Sequence, residues 1–274
     1  MSGWRRTAAM LAAAGIGAGV AQVATRRLTA DPPGGPGRWD RENFRGRTVT
    51  LAAGAAAAAG AAAGAALAPG LSARVRTAGV LAALAAGGAG LYDDLEGSSA
   101  SKGLRGHLSA LARGQVTTGA VKIGVVGAAG LAGSALVSDN ALDALIGGAA
   151  VAGHANVLNL FDLRPGRAIK VSLLHAPAVL GGPAAPLAAA GLGAAGAVLP
   201  GDLAERTMLG DAGSNALGAV LGLAMVAREG RAARLVHLAA VTALTLASEK
   251  VSFTQVIAAN PALRWLDELG RTAR

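Results

Sequence analysis

Apolar residues in this chain gather into runs bounded by charged residues or by Pro/Gly clusters. Nine such runs, at about 7–25, 48–68, 77–91, 120–137, 141–155, 170–182, 185–199, 214–227 and 235–248, predict nine membrane-spanning helices. Several fall short of the ~20 residues that a bilayer crossing usually needs. The run 170–182, interrupted by Pro177, is the weakest. Alanine and glycine are only weakly apolar, so the expectation rests on the number and regular spacing of the runs. It is an all-α, polytopic transmembrane bundle of about nine spans (eight to ten) over residues 1–250, followed by a tail at 251–274.

Composition narrows the class. Hydrophobic residues make up 53% of the chain and charged residues 15%, against about a quarter charged in soluble domains. The 41 glycines sit inside apolar stretches, as in helices that pack closely in lipid, and their small faces also allow a homodimer. No cysteine is present, which removes disulfides and thiolate metal sites. The net charge of +9 lies in the gaps between apolar runs, and one Tyr with three Phe offers little base-stacking surface, so nucleic acid is not the expected partner. Arg5 and Arg6 precede an apolar stretch containing Ala12-Ala13-Ala14, which could pass for a secretory signal with its cleavage site. The stretch continues to Ala24 and further spans follow, which favours an uncleaved first span.

Charge distribution predicts orientation. With nine spans, the gaps after the first, third, fifth and seventh, together with the tail, share one side and hold 18 of the 25 basic residues. The positive-inside rule places that side in the cytoplasm and the N-terminus outside, in a bacterial plasma membrane. The loops on the opposite side are short, the arrangement of an enzyme fed from the cytoplasm.

Three polar clusters fall on the basic side. Asp93-Asp94 follows a span ending in Gly90-Leu91-Tyr92. Adjacent carboxylates repel unless a cation neutralises them, and Mg²⁺ is bound by such groups together with phosphate oxygens; the plain alternative is a solvated helix end. Asn156, Asn159 and Asp162 recur at i, i+3 and i+6, roughly one face of a helix, before Arg164-Pro165-Gly166-Arg167. They also read as a polar helix exit closed by a turn. Leu209-Gly210-Asp211-Ala212-Gly213-Ser214 precedes the eighth run; its glycines permit close backbone approach, and a helix N-terminus there favours phosphate, or else Asp211 or Ser214 simply caps the helix.

In this order, Asp-Asp, Asn-x-x-Asn-x-x-Asp and Gly-Asp-x-Gly-Ser resemble the motifs of the polyprenyl-phosphate N-acetylhexosamine-1-phosphate transferases, the family of phospho-N-acetylmuramoyl-pentapeptide transferase, from about Arg41 to Gly222. The resemblance implies a Mg²⁺-dependent transfer of a sugar-1-phosphate from a UDP-N-acetylhexosamine to polyprenyl phosphate, releasing UMP, in cell-envelope glycan synthesis. It implies catalytic roles for Asp93, Asp94 and Asp162, metal binding by Asp211 and Asp94, and substrate binding by Asn156, Asn159 and Lys122. Arg45, Lys102 and Arg105 in the basic loops are candidates to face the pyrophosphate or anionic lipid, although positive-inside topology alone also accounts for them. The family's His-rich cytoplasmic loop has no counterpart here, where only His107, His154, His175 and His237 occur. In its place, Asn260-Pro261 and Gly270 bracket an amphipathic helix carrying Leu263, Leu266 and Leu269, expected on the cytoplasmic surface. Two other readings stay open: an inactive relative serving as membrane scaffold or regulator, and a small transporter, whose site would lie nearer mid-membrane.

Overall fold

Capping side chains set the helix starts. Ser72, Thr117 and Asn140 accept hydrogen bonds from the backbone N–H groups of Val75, Ala120 and Asp143 at 3.3, 3.1 and 3.0 Å, satisfying donors that a helix N-terminus leaves free. In the computed structural model, residues 3–97 and 103–272 are described. Lys102 lies outside them, as does the side chain of Arg105. The protein is 76% helical with almost no sheet.

A long first helix, α1 (Gly3–Ala30), and one turn, α2 (Pro36–Trp39), lead into a hairpin of β1 (Asp40–Glu42) and β2 (Thr48–Thr50). Helices α3 (Ala52–Leu67), α4 (Ala73–Glu96), α5 (Gly103–Ala112), α6 (Thr118–Leu136) and α7 (Ala141–Phe161) follow. Two short helices, α8 (Arg167–Leu174) and α9 (Ala176–Val179), precede α10 (Ala185–Leu203), α11 (Gly210–Val226) and α12 (Arg231–Ser248). The tail folds as α13 (Phe253–Ala259) and α14 (Pro261–Glu268).

Each apolar run contains a helix, although the run 48–68 begins in β2, and among the described residues five helices, α1, α4, α6, α7 and α10, are long and apolar enough to cross a membrane. The run 170–182 divides at His175, ahead of Pro177, into α8 and α9, because proline lacks the N–H that would continue the ladder. The basic segment 98–113, expected as a loop, contains α5. The hairpin was also not anticipated: Asp40, Arg41 and Glu42 pair antiparallel with Thr50, Val49 and Thr48. Those polar strands carry no apolar period long enough to announce a sheet.

Packing divides the bundle into two groups joined by α11 and by the contact of α3 with α4. Helices α1, α3 and α10 pack on one another, α4, α6 and α7 form a second group, and α12 lies against α7. α11 contacts both groups, and only Asp211 and Met225 of its residues escape burial. The core is built chiefly from alanine, with Leu187, Leu209, Leu217, Leu221 and Leu223 as its largest filled positions. Small side chains let backbones approach closely, so dispersion contacts accumulate although each side chain contributes little.

Candidate active site

The C-terminus of α4, the start of α6, the end of α7 and the start of α11 meet at one end of the bundle. Each brings a polar group that its own helix cannot neutralise. Lys122, one turn into α6, reaches between two carboxylates: its Nζ donates to Asp93 Oδ2 at 2.6 Å and also to Asp211 Oδ2. The side chains of Lys122, Asp93 and Asp211 are 15, 16 and 25% exposed, so the ammonium bridges α4 and α11 in a largely dehydrated setting. Charge-assisted bonds there are stronger than in water.

Asp94 faces the other way. Its Oδ1 and Oδ2 accept the backbone N–H groups of Asp211 and Ala212 at 3.0 and 2.9 Å. A carboxylate of the protein thus occupies the α11 N-terminus, where the sequence had suggested a phosphate, and the helix dipole favours the negative charge. Two glycines make the approach possible. Gly90 of α4 lies against the backbone of Asp211 and Ala212, where a Cβ would collide with main-chain atoms. Gly210 turns the chain into α11 with φ of 60°, a conformation that glycine adopts without a Cβ penalty. Arg41 of the hairpin donates to the carbonyl of Asp94, tying the basic segment to the site.

Asn156 and Asn159 share a face of α7, as their spacing required. Asn156 Nδ2 donates to Thr245 Oγ1 of α12 at 3.0 Å, and Asn159 Oδ1 accepts from Ser214 Oγ at 2.9 Å. Both line a cavity of about 280 Å³ with Lys122 and Asn215, whose remaining wall is mostly apolar, with Ile123, Val126, Val241 and Leu246 beside Thr242 and Thr245. The cavity therefore joins a polar head to a greasy flank formed by α6, α7 and α12.

Asp162 caps the end of α7 and lines a second cavity, of about 220 Å³, with Phe44, Arg164, Asp202 and Glu205. Burial pushes its carboxyl well above the usual carboxylate range, and the charges of Asp202, Asp211 and Asp94 push the same way, while a hydrogen bond from the Gly210 backbone opposes them. Asp93 and Asp211 thus share one ammonium, with Asp94 held beside them by the α11 backbone and Asp162 close enough to Asp94 and Asp211 to feel their charge. Among the described residues no group of three or more His, Asp or Glu side chains is disposed as a metal-ligand set. Mg²⁺ needs only one or two carboxylates plus phosphate and water oxygens. Asp93 and Asp211, converging on the same cation, fit that requirement; Asp94 has both oxygens engaged by the α11 backbone.

Arg45 stands apart from the carboxylate cluster. Its guanidinium meets Glu205 at 2.8 Å, and Asn43 Nδ2 donates to the same carboxylate at 2.6 Å. Glu205 is buried and has φ of 54°, so a strained residue anchors the hairpin turn. Glu205 and Asp202 escaped sequence reading. Asp202 is an acid inside the apolar stretch of α10, and its carboxylate accepts the N–H groups of Gly166 and Leu209, bracing both loops beside the site. Its one visible signal was a lone carboxylate following Pro200-Gly201.

The histidines are placed elsewhere. His154 and His237 meet inside the bundle with Nδ1 and Nε2 3.1 Å apart, and His237 Nδ1 lies 3.2 Å from Glu229 Oε2. His107 Nδ1 pairs with Thr117 Oγ1 at 2.9 Å and joins α5 to the cap of α6. The arrangement defines a helical protein with membrane-length apolar helices and a buried lysine–carboxylate cluster at one end of the bundle. No protein-family model, curated protein or solved structure matches the chain.

Proposed function

We propose that the protein transfers a sugar-1-phosphate from a UDP-N-acetylhexosamine to polyprenyl phosphate, releasing UMP. The observation that carries this reading is the convergence of Lys122, Asp93 and Asp211 at the head of a cavity whose flank is apolar. A lipid phosphate has the matching shape, a charged end on a long hydrocarbon.

An oxygen of the lipid phosphate attacks the phosphorus that carries the sugar. The bond from that phosphorus to the bridging oxygen breaks, and UMP leaves with the bridging oxygen. Phosphoryl transfer of this kind depends mainly on positioning and charge neutralisation. Lys122 lies where it can neutralise an incoming phosphate, and Asn156, Asn159 and Asn215 offer amide groups beside it. Asp93 and Asp211 would hold Mg²⁺, which when bound supplies further neutralisation of phosphate oxygens. Asp162 lies on the other side of the cluster, facing the cavity that leads to the basic surface.

In this reading all nine apolar segments embed in the bacterial plasma membrane, the N-terminus lies outside and the carboxylate cluster faces the cytoplasm. The lipid enters along the groove between α6, α7 and α12, and the nucleotide arrives from the aqueous side. The deciding experiment measures UMP release by detergent-purified protein given polyprenyl phosphate and a panel of UDP-N-acetylhexosamines, with and without Mg²⁺. Release is expected to require both lipid and metal and to fall at least about 10²-fold in Asp93→Asn and Asp211→Asn. If folded protein turned over none of the donors, the enzyme reading would give way to that of an inactive membrane scaffold.

A further inference from the structure

A cavity larger than the apolar one shares Phe44 and Arg164 with the Asp162 cavity. A space of about 790 Å³, within the range of ligand pockets, lies between the hairpin turn, the segment following α7 and the C-terminal helices. Five arginines line it against two carboxylates, Asp267 and Glu268. Three of the five are committed: Arg167 and Arg271 to Asp267, and Arg45 to Glu205. Arg164 and Arg264 form no ion pair among the described residues. The Arg164 guanidinium carbon lies 4.3 Å from the centre of the Phe44 ring, with that of Arg45 at 5.2 Å. Burial lowers the basicity of Arg164, and the nearby charges of Arg167 and Arg271 lower it further, outweighing the opposing charge of Asp267.

The cavity has a fixed wall. Arg167 grips both oxygens of Asp267, through Nε at 2.7 Å and Nη2 at 2.9 Å, and Lys170 donates to the Asp267 carbonyl at 2.7 Å. Arg271 reaches the Pro165 carbonyl at 2.9 Å. The C-terminal helices are thereby bolted beside the loop that follows Asp162, and Phe44 and Arg164 line this cavity and the Asp162 cavity alike.

We propose that this cavity binds the diphosphate of a soluble phosphoanhydride, with Arg164 and Arg264 contacting the phosphates and the C-terminal helices forming part of the site. The assignment of that ligand as the sugar donor rests on the transferase reading; the anion site itself does not. Guanidinium forks match phosphate oxygens in pairs, and the partly exposed Phe44 ring offers a face for a base. The tail is then a component of donor capture and not a surface anchor alone.

The test is calorimetric titration of inorganic pyrophosphate and of UDP into the full-length protein in neutral detergent, then in nanodiscs with and without phosphatidylglycerol. Binding is expected to be saturable, weakened by salt, and reduced at least about tenfold by Arg264→Ala or Arg164→Ala, with partial recovery in Arg264→Lys. Arg264 forms no side-chain hydrogen bond among the described residues, so its loss leaves the Arg167–Asp267 tie intact. Asp211→Asn is expected to bind pyrophosphate normally. Pyrophosphate binding that depends on Arg264, without any UMP release, would sustain the anion site and sink the transferase. Normal turnover with pyrophosphate and UDP affinity unchanged in both arginine variants would do the reverse. Absence of pyrophosphate binding, or its complete displacement by phosphatidylglycerol, would overturn the proposal.

Discussion

Asp162 shows how one residue can be legible in type and hidden in circumstance. Its spacing from Asn156 and Asn159 marked it as a candidate, but its neighbours come from α4, α10 and α11. Because burial and those neighbours raise its folded pKa, the folded state holds the proton more tightly than the unfolded chain, whose aspartates titrate near ~3.9. Stability attributable to Asp162 is therefore greatest at low pH and declines as pH rises towards its folded pKa. Asp162→Asn is expected to leave thermal stability unchanged or higher at neutral pH and to flatten its decline as pH rises above the ordinary carboxylate range. UMP release is expected to fall about 10²-fold. Loss of folding together with activity would instead make Asp162 a structural residue. Lys122 belongs to the same scale: nothing local pairs it with Asp93, 29 positions away, or with Asp211, 89 away.

At the scale of the element, the tail is helical over 261–268 as its pattern predicts, but a second helix, α13, precedes it and both pack beside the loop after α7. Asn260 Oδ1 caps α14 through the N–H groups of Ala262 and Leu263, both at 3.1 Å, and Trp265 is 65% exposed. Leu263 and Leu266 line an apolar groove with Phe161, Leu174, Leu244 and Phe253. Asp267, beside the stripe of Leu263, Leu266 and Leu269, turns inward to Arg167, a partner 100 positions away. Burial pushes the Asp267 carboxyl up, but the hydrogen bonds and charges of Arg167 and Arg271 prevail and hold it below the usual range. With a depressed folded pKa, its contribution is fully present above the unfolded value of ~3.9 and is lost as pH falls through the folded value. The tail is expected to resist limited proteolysis equally from pH 7 to 5 and to loosen below about pH 4. Breaking a buried pair by removing one partner costs about 3–5 kcal/mol. Asp267→Asn should therefore release the tail at neutral pH, seen as rapid cleavage within 249–272 while the bundle stays intact. A variant tail as resistant as the wild type would show that the apolar groove alone suffices.

For the whole molecule, the prediction concerns sidedness. The native chain has no cysteine, so single substitutions report position without background. Gln115 and Lys250 are exposed at the end that bears the carboxylate cluster, and Asp139 and Gly230 are exposed at the other end. In sealed cells, a membrane-impermeant maleimide is expected to label Asp139→Cys and Gly230→Cys, and to reach Gln115→Cys and Lys250→Cys only after permeabilisation. The reverse pattern would invert the bundle and place the cluster outside, where no UDP-sugar is supplied.

Helicity and the apolar segments were legible in the residues because each depends on neighbours within a few positions: a proline at 177 interrupts one run, and Asn260-Pro261 opens the tail helix. The three polar motifs were visible for the same reason. Their assembly was not. Lys122 could be placed between Asp93 and Asp211, Asp94 across the start of α11, and Asp202 and Glu205 beneath the loops only once four helix ends had been brought together. Coulomb interactions and hydrogen bonds act through space, and a one-dimensional pattern does not record which distant helix supplies the partner. The hairpin and the inward turn of Asp267 escaped for that reason as well: both exist because arginines or backbone groups elsewhere in the fold give polar residues a better partner than water.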